Sequence, residues 1–211
     1  LLGLTSRGEF IRIDKLTGSA VLVGTAGIPL NAATADPSGV ILSGGGAGPN
    51  ADIIFEHGRQ GGPAVVRVKI VGRPPGYGIT SMAFDSSARL FVVLAKGAPV
   101  DSRLATIDMN TGQCSVVGHL TGGITEISFS PAGQLIGMGY HLYRVDPASA
   151  AGTRIGDVEF HDADQSLQFD TDGVLYACRS NLVRIDPTNG TSHLIGATGF
   201  SDVRGLALLS D

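Results

Sequence analysis

Four segments of this chain repeat one pattern: Phe10-Ile11-Arg12-Ile13-Asp14, Leu104-Ala105-Thr106-Ile107-Asp108, Leu142-Tyr143-Arg144-Val145-Asp146 and Leu182-Val183-Arg184-Ile185-Asp186. In three of them a glycine follows the aspartate by four residues (Gly18, Gly112, Gly190); after Asp146 it comes later, at Gly152. A second glycine stands ten residues after every one of these aspartates: Gly24, Gly118, Gly156 and Gly196. A repeat with a fixed internal spacing restricts a chain to stacked or ring-like architectures before any other feature is weighed.

Each repeat carries further short apolar runs bounded by Gly, Asp, Asn or Pro, which read as strands. One set is Ser81-Met82-Ala83-Phe84, Ile127-Ser128-Phe129, Leu167-Gln168-Phe169 and Gly205-Leu206-Ala207-Leu208, preceded in the chain by Ala33-Thr34-Ala35. A tight turn such as Asp36-Pro37-Ser38-Gly39 or Asp170-Thr171-Asp172-Gly173 leads from each into the next strand. Helical periodicity competes nowhere. Four strands in about 40–45 residues is the blade of a propeller. A stacked solenoid would need distinct capping repeats. Here the chain instead ends on the first strand of a blade (203–209) and begins on the other three. The expected architecture is therefore all-β: one five-bladed β-propeller domain, residues 1–211, closed by pairing of the amino- and carboxy-terminal strands within one blade. Closure of this kind removes both open sheet edges.

Composition agrees. Hydrophobic residues make up 43% and charged residues 16%, with 31 Gly and 10 Pro, a turn-rich globular balance. The net charge is -4 and there are three lysines, Lys15, Lys69 and Lys96, so no basic footprint for nucleic acid is present. No apolar run approaches the roughly 18 residues of a membrane-spanning helix. The sequence starts at Leu1, so any signal peptide would lie out of view; a secreted or cell-surface location is the expectation. Cys114 and Cys178 fall at different strand positions of different repeats and are expected to be unpaired.

The Phe169-to-Gly173 turn and the Leu182-to-Gly190 strand and turn (Leu-x-Arg-Ile-Asp-Pro-x-x-Gly) resemble the bacterial propeller repeats of the NHL and YVTN types. The resemblance covers nearly the whole chain. It breaks in the second repeat, where 53–62 is degenerate, with His57 read at the aspartate position, and an insertion runs to Gly78. It implies blade construction and no single activity, since such propellers include scaffolds, lectins, hydrolases and lyases.

The same class implies a ligand face made by loops entering the innermost strands (25–31, 73–80, 119–125, 160–165, 198–202) and by loops joining second and third strands. Aligning the inner strands gives a ring at the channel mouth of Asn31, Thr80, Thr125, Gln165 and Arg204. The next level reads Ala32, Ser81, Glu126, Ser166 and Gly205. Small residues suit a narrow five-fold axis. Glu126 and Arg204 do not, because a carboxylate there is costly unless paired, hydrated or metal-bound. They read as a structural pair or as a ligand grip. The densest polar cluster, His161-Asp162-Ala163-Asp164-Gln165, reads as a solvated acidic loop or as a source of oxygen ligands or acid–base groups. Tyr77 is expected near the mouth, packed on a neighbouring blade or exposed to stack on a sugar or anchor a partner.

No zinc spacing, haem-attachment motif or serine nucleophile elbow occurs, so no metal or other cofactor is expected. Two functions compete. One is a non-catalytic binding or scaffold propeller, including a structural part of a larger protein, whose upper face holds a carbohydrate or protein ligand through Glu126, Asp164, Gln165 and Arg204, with Tyr77 and His161 at the rim. The other is a carbohydrate-active hydrolase or lyase using carboxylates at the channel mouth.

Overall fold

The structure, a computed structural model, describes residues 1–46, 48–58, 61–98, 100–159 and 166–209. Strands β1 to β20, numbered in chain order, form five antiparallel four-stranded sheets. Blade 1 runs from the axis outward as β20 (Val203–Ala207), β1 (Leu2–Thr5), β2 (Glu9–Ile13) and β3 (Ala20–Thr25). Blade 2 is β4 (Ala32–Ala35), β5 (Ile41–Gly44), β6 (Ile53–His57) and β7 (Val65–Lys69). Blade 3 is β8 (Gly78–Phe84), β9 (Leu90–Lys96), β10 (Asp101–Ile107) and β11 (Cys114–Leu120). Blade 4 is β12 (Glu126–Phe129), β13 (Leu135–Met138), β14 (Leu142–Val145) and β15 (Gly152–Gly156). Blade 5 is β16 (Leu167–Phe169), β17 (Leu175–Cys178), β18 (Asn181–Ile185) and β19 (Ser192–Ala197). Among the described residues there is no helix, and hence none long and apolar enough to cross a membrane. The ring closes as the termini suggested: Leu2, Gly3 and Leu4 pair with Ala207, Leu206 and Gly205.

The apolar runs are continuous because each blade is covered on both faces. Alternate side chains of one strand point to opposite neighbours. On β9, Leu90, Val92 and Leu94 enter the core between blades 2 and 3, whereas Phe91 and Val93 enter the core between blades 3 and 4. Five such cores, one per interface, run around the ring.

The two repeated glycines have a shared role at the blade edges. A β-bulge interrupts the pairing of third and outermost strands at the same level in every blade, between Phe10 and Ile11, Ile54 and Phe55, Leu104 and Ala105, Leu142 and Tyr143, and Leu182 and Val183. The second glycine flanks that bulge, and in blades 3, 4 and 5 the turn after the aspartate of the next blade presses against it. A Cβ on Gly156 would lie 1.8 Å from the Asn189 carbonyl oxygen, and one on Gly196 would lie 2.2 Å from that of Thr17. The aspartate builds the turn by accepting backbone N–H bonds, as Asp108 does from Asn110 (2.8 Å) and Thr111 (3.0 Å). In the fourth repeat the missing glycine is replaced by Ala150, which adopts the same left-handed backbone (φ 63°).

The register corrects the sequence reading of blade 2. Ile41 pairs with His57 as Leu135 pairs with Val145 and Leu175 with Ile185. His57 therefore occupies the last, inward-facing strand position, and Gly58 stands where the other repeats carry aspartate.

The seam between blades 5 and 1 carries an ion pair, Lys15 Nζ to Asp170 Oδ2 at 2.8 Å, with the aspartate side chain buried. Burial would push the Asp170 carboxyl up, but the Lys15 bond and the Val174 and Asp172 amides outweigh it and hold the group below its ordinary value. Cys114 and Cys178 are both buried and unpaired, as expected. Burial pushes the Cys178 thiol up to about 12, so it is not a thiolate at neutral pH.

Candidate functional site

The upper face is formed by the loops that enter the inner strands and by those joining second to third strands. Backbone irregularity shapes its mouth. Thr80 sits where the β8–β9 register slips between Ile79 and Ser81, and Arg204 where the β1–β20 register slips between Leu4 and Thr5. A bulge leaves its residue outside the ladder and re-aims the side chain. Two members of the expected ring are committed to holding neighbouring blades together. Thr80 Oγ1 donates to the Thr125 carbonyl at 2.8 Å, and Asn31 Nδ2 donates to the Ile79 carbonyl at 3.1 Å. One level deeper, Ser81 Oγ accepts from the Ile127 amide at 3.0 Å.

Glu126 opens β12 and is 4% exposed, engaged with a neighbouring group. Arg204 turns its fork to Asp202, with Nε at 2.9 Å from Oδ1 and Nη2 at 3.3 Å from Oδ2. Asp202 itself has a left-handed backbone (φ 62°). Burial would raise the Asp202 carboxyl; bonds from Ser6 and Arg204 outweigh it and hold the group low. The described partner of Arg204 is thus two residues away in its own loop. His161, Asp164 and Gln165 lie outside the described residues.

Tyr77 corrects the idea of an exposed stacking ring. It is 2% exposed, and its hydroxyl donates to Asp101. Two cations sit over the ring, Lys96 Nζ at 4.4 Å and the Arg103 guanidinium at 4.7 Å from the centroid. The Tyr77 bond, helped by Arg103, His119 and Lys96, keeps the Asp101 carboxyl below its ordinary value. Tyr77 packs as a pillar of blade 3 and offers no face to a ligand.

Among the described residues, the aromatic side chain that stands exposed on this face is one the sequence reading passed over as part of a short loop. Tyr140 is 66% exposed. Its amide donates to the Gly122 carbonyl at 3.1 Å, and its ring lies against Gly123, where a Cβ would meet Cε2 at 2.7 Å. The signal that could have found it is the Gly122-Gly123 pair, which leaves room for a ring. The next residue, His141, places Nδ1 against Asp157, which also pairs with Arg154.

In blade 2 the inward-facing His57 must be satisfied. Its Nε2 lies 2.7 Å from Ser43 Oγ, and its Nδ1 lies 3.0 Å from the Gly62 carbonyl. The carbonyl can only accept, so Nδ1 carries the proton and Nε2 accepts from the serine. That is the donor order of a nucleophile and its base, but Ser43 is fully buried and meets no substrate. Burial holds the His57 imidazole below its ordinary value of 6.5. The unfolded chain then binds a proton that the folded one does not as pH falls through about 6.5. Stability should decline from there down to the folded-state value and level off below it. Melting curves between pH 7.5 and pH 5 (about one unit to either side of the reference histidine value) should show this decline and lose it in His57→Gln; an identical decline in that variant would refute the assignment.

On the opposite face, among the described residues, a cavity of about 1370 Å³ opens around the ends of the inner strands. Phe84, Phe129, Phe169 and Leu208 contribute its apolar floor, and Arg12, Lys15, Asp36 and Asp170 stand among its polar walls. The sequence reading looked only at the upper face and did not anticipate this bowl. Among the described residues no group of three or more His, Cys, Asp or Glu side chains is arranged to hold a metal ion.

No family model matches the chain, and no curated protein matches it either. Solved structures do. The fold is similar to that of a gluconolactonase from Xanthomonas campestris, at 12% identity and a TM-score of 0.60, covering 94% of this chain and 75% of the other. It is similar to regucalcin, a calcium-binding protein from Agrobacterium tumefaciens, at 13% identity and a TM-score of 0.59, covering 97% and 72%. It is also similar to a chain of a nidogen/laminin complex, at 13% identity and a TM-score of 0.61, covering 99% and 81%. At this level of identity the likeness shows the β-propeller fold alone, and the activities named belong to those proteins.

Proposed function

We infer that the chain is a non-catalytic binding module that takes a small polar ligand, or a polar group of a partner, at the upper mouth. The observation that carries this reading is Glu126: a buried carboxylate at the head of an inner strand, where the equivalent residues are Ala32, Ser81, Ser166 and Gly205. Packing alone asks for a small residue there. Arg204 is the described companion group; Asp164 and Gln165, with His161 at the rim, join it by the alignment of the repeats alone, as donors and acceptors for a polar ligand.

A thermal-shift screen of sugars and small carboxylates tests this. A ligand present at about 100 times its dissociation constant stabilises by about 2.7 kcal/mol, which is roughly 5–11 °C for a chain of this size. That shift should vanish in Glu126→Gln and Arg204→Ala, with both variants still folded. A ligand that stabilises the parent and both variants equally would sink the reading. Turnover of a lactone or glycoside that is lost in Glu126→Gln would replace binding by catalysis.

The lower bowl favours a second reading. Phe84, Phe129 and Leu208 are half-buried around an open cavity, and an apolar small molecule would seat on them. Such a ligand would be insensitive to Glu126→Gln and lost in Leu208→Asp.

A further inference from the structure

Tyr140 extends the upper-face reading to a class of ligand. The β12–β13 ladder pairs Glu126 with Met138, and above it two further bonds tie the entering loop to the β13–β14 turn, from the Thr125 amide to the Met138 carbonyl and from the Tyr140 amide to the Gly122 carbonyl. Tyr140 therefore stands two residues beyond the partner of Glu126, in the three-residue turn (139–141) that joins β13 to β14 of the same blade. The ring is held rather than loose. Gly122 and Gly123 both adopt left-handed backbone (φ 70° and 64°), and Gly139 lies so close to them that a Cβ would meet the Gly123 carbonyl oxygen at 2.5 Å. A flat ring backed by glycine on one side and exposed on the other is a rigid apolar platform.

Beside it, the half-buried His141 and the exposed Asp157 and Arg154 form a group of planar hydrogen-bonding side chains. Together these carry an apolar face and a fork of donors and acceptors. A ligand that matches both has one face of C–H groups and an edge of hydroxyls. A pyranose ring has this form. An aromatic ligand would match the platform and leave the fork unused.

We propose that Tyr140 is the stacking platform of a saccharide subsite on the upper rim of blade 4, with Asp157, Arg154 and His141 binding the hydroxyl edge. This rests on the reading of the upper face as the ligand face. The subsite continues from Glu126 outward, so a bound sugar extends from the mouth onto the rim.

The chain has no tryptophan and four tyrosines, so tyrosine ring resonances in NMR report directly, and Tyr140→Phe assigns the signal. The probes are methyl β-glucoside, methyl β-galactoside, N-acetylglucosamine and a maltooligosaccharide. At least one should shift the Tyr140 ring signals. Its affinity should fall about tenfold or more in Tyr140→Ala, stay within about threefold in Tyr140→Phe, and fall in Asp157→Ala. Tyr140 is exposed, so the melting temperature should not change in either tyrosine variant. Failure of every probe to perturb Tyr140, or equal binding by Tyr140→Ala, overturns the proposal. Indole binding to the platform while no sugar does would overturn it as well. Loss of sugar binding in Tyr140→Ala with full binding in Glu126→Gln would uphold the subsite and remove the mouth reading. Loss in Glu126→Gln with full binding in Tyr140→Ala would do the reverse.

Discussion

Deleting residues 1–24 should abolish the cooperative thermal transition of this protein. These residues supply β1, β2 and β3, three of the four strands of blade 1, and leave β20 as a lone inner strand with an unpaired edge. Leu2, Leu4, Phe10, Ile11 and Ile13 are each no more than 2% exposed and fill the cores on both sides of the blade. Burying a side chain of this size contributes about 1.5–3 kcal/mol, so the five contribute on the order of 7–15 kcal/mol, as much as the whole net stability of about 5–15 kcal/mol of a typical domain. The Lys15–Asp170 pair goes with them and leaves a buried carboxylate without its cation. Melting followed by circular dichroism or calorimetry measures the effect. Adding the 1–24 peptide in trans should restore a transition, because the groove it fills is specific to its register. An unchanged midpoint in the deletion would show that the ring does not depend on closure through blade 1.

Gly156→Val should lower the melting temperature by roughly 2–12 °C. Overpacking costs about 1–3 kcal/mol, and each kcal/mol shifts a chain of this length by about 2–4 °C. The backbone of Gly156 is one that any residue can adopt, so the effect is steric alone. The added carbon would lie 1.8 Å from the Asn189 carbonyl oxygen, in the turn that blade 5 presses against blade 4. That oxygen belongs to rigid backbone and cannot yield as a flexible side chain would. Thr153→Ala, at an exposed position on the same strand, serves as the control and should move the midpoint little. Gly196→Ala repeats the clash at the seam of blades 5 and 1, against Thr17. The two sites share no partner, so their effects should add. A Gly156 variant as stable as the parent would mean that the repeated glycine is not an interlock between blades.

The turn chemistry was legible because it is local. An aspartate that bonds amides two and three residues on, and a glycine that supplies positive φ, act within one hairpin, so Asp14, Asp108 and Asp186 could be read directly. The ten-residue offset to the second glycine was also legible, but its cause was not. The structure shows a five-residue turn, a bulge and a contact with the next blade, and this last part is invisible in any single repeat.

The sequence by itself determined the strands, their count, the five-bladed ring and its closure, since repeat length and turn residues leave one architecture. It placed Glu126 at the head of an inner strand by alignment alone. Tertiary structure decided which side chains the mouth presents. A strand has a period of two, so one bulge or a one-residue shift sends a side chain to the other face. That is why His57 lies in the core instead of capping a turn, and why Arg204 meets Asp202. It also takes neighbouring strands and loops to settle the tyrosines: Tyr77 is enclosed by Lys96 and Arg103 from other strands of its own blade, whereas Tyr140 has glycine beneath it and solvent above. The two look alike along the chain, and what each one touches comes from residues distant in sequence.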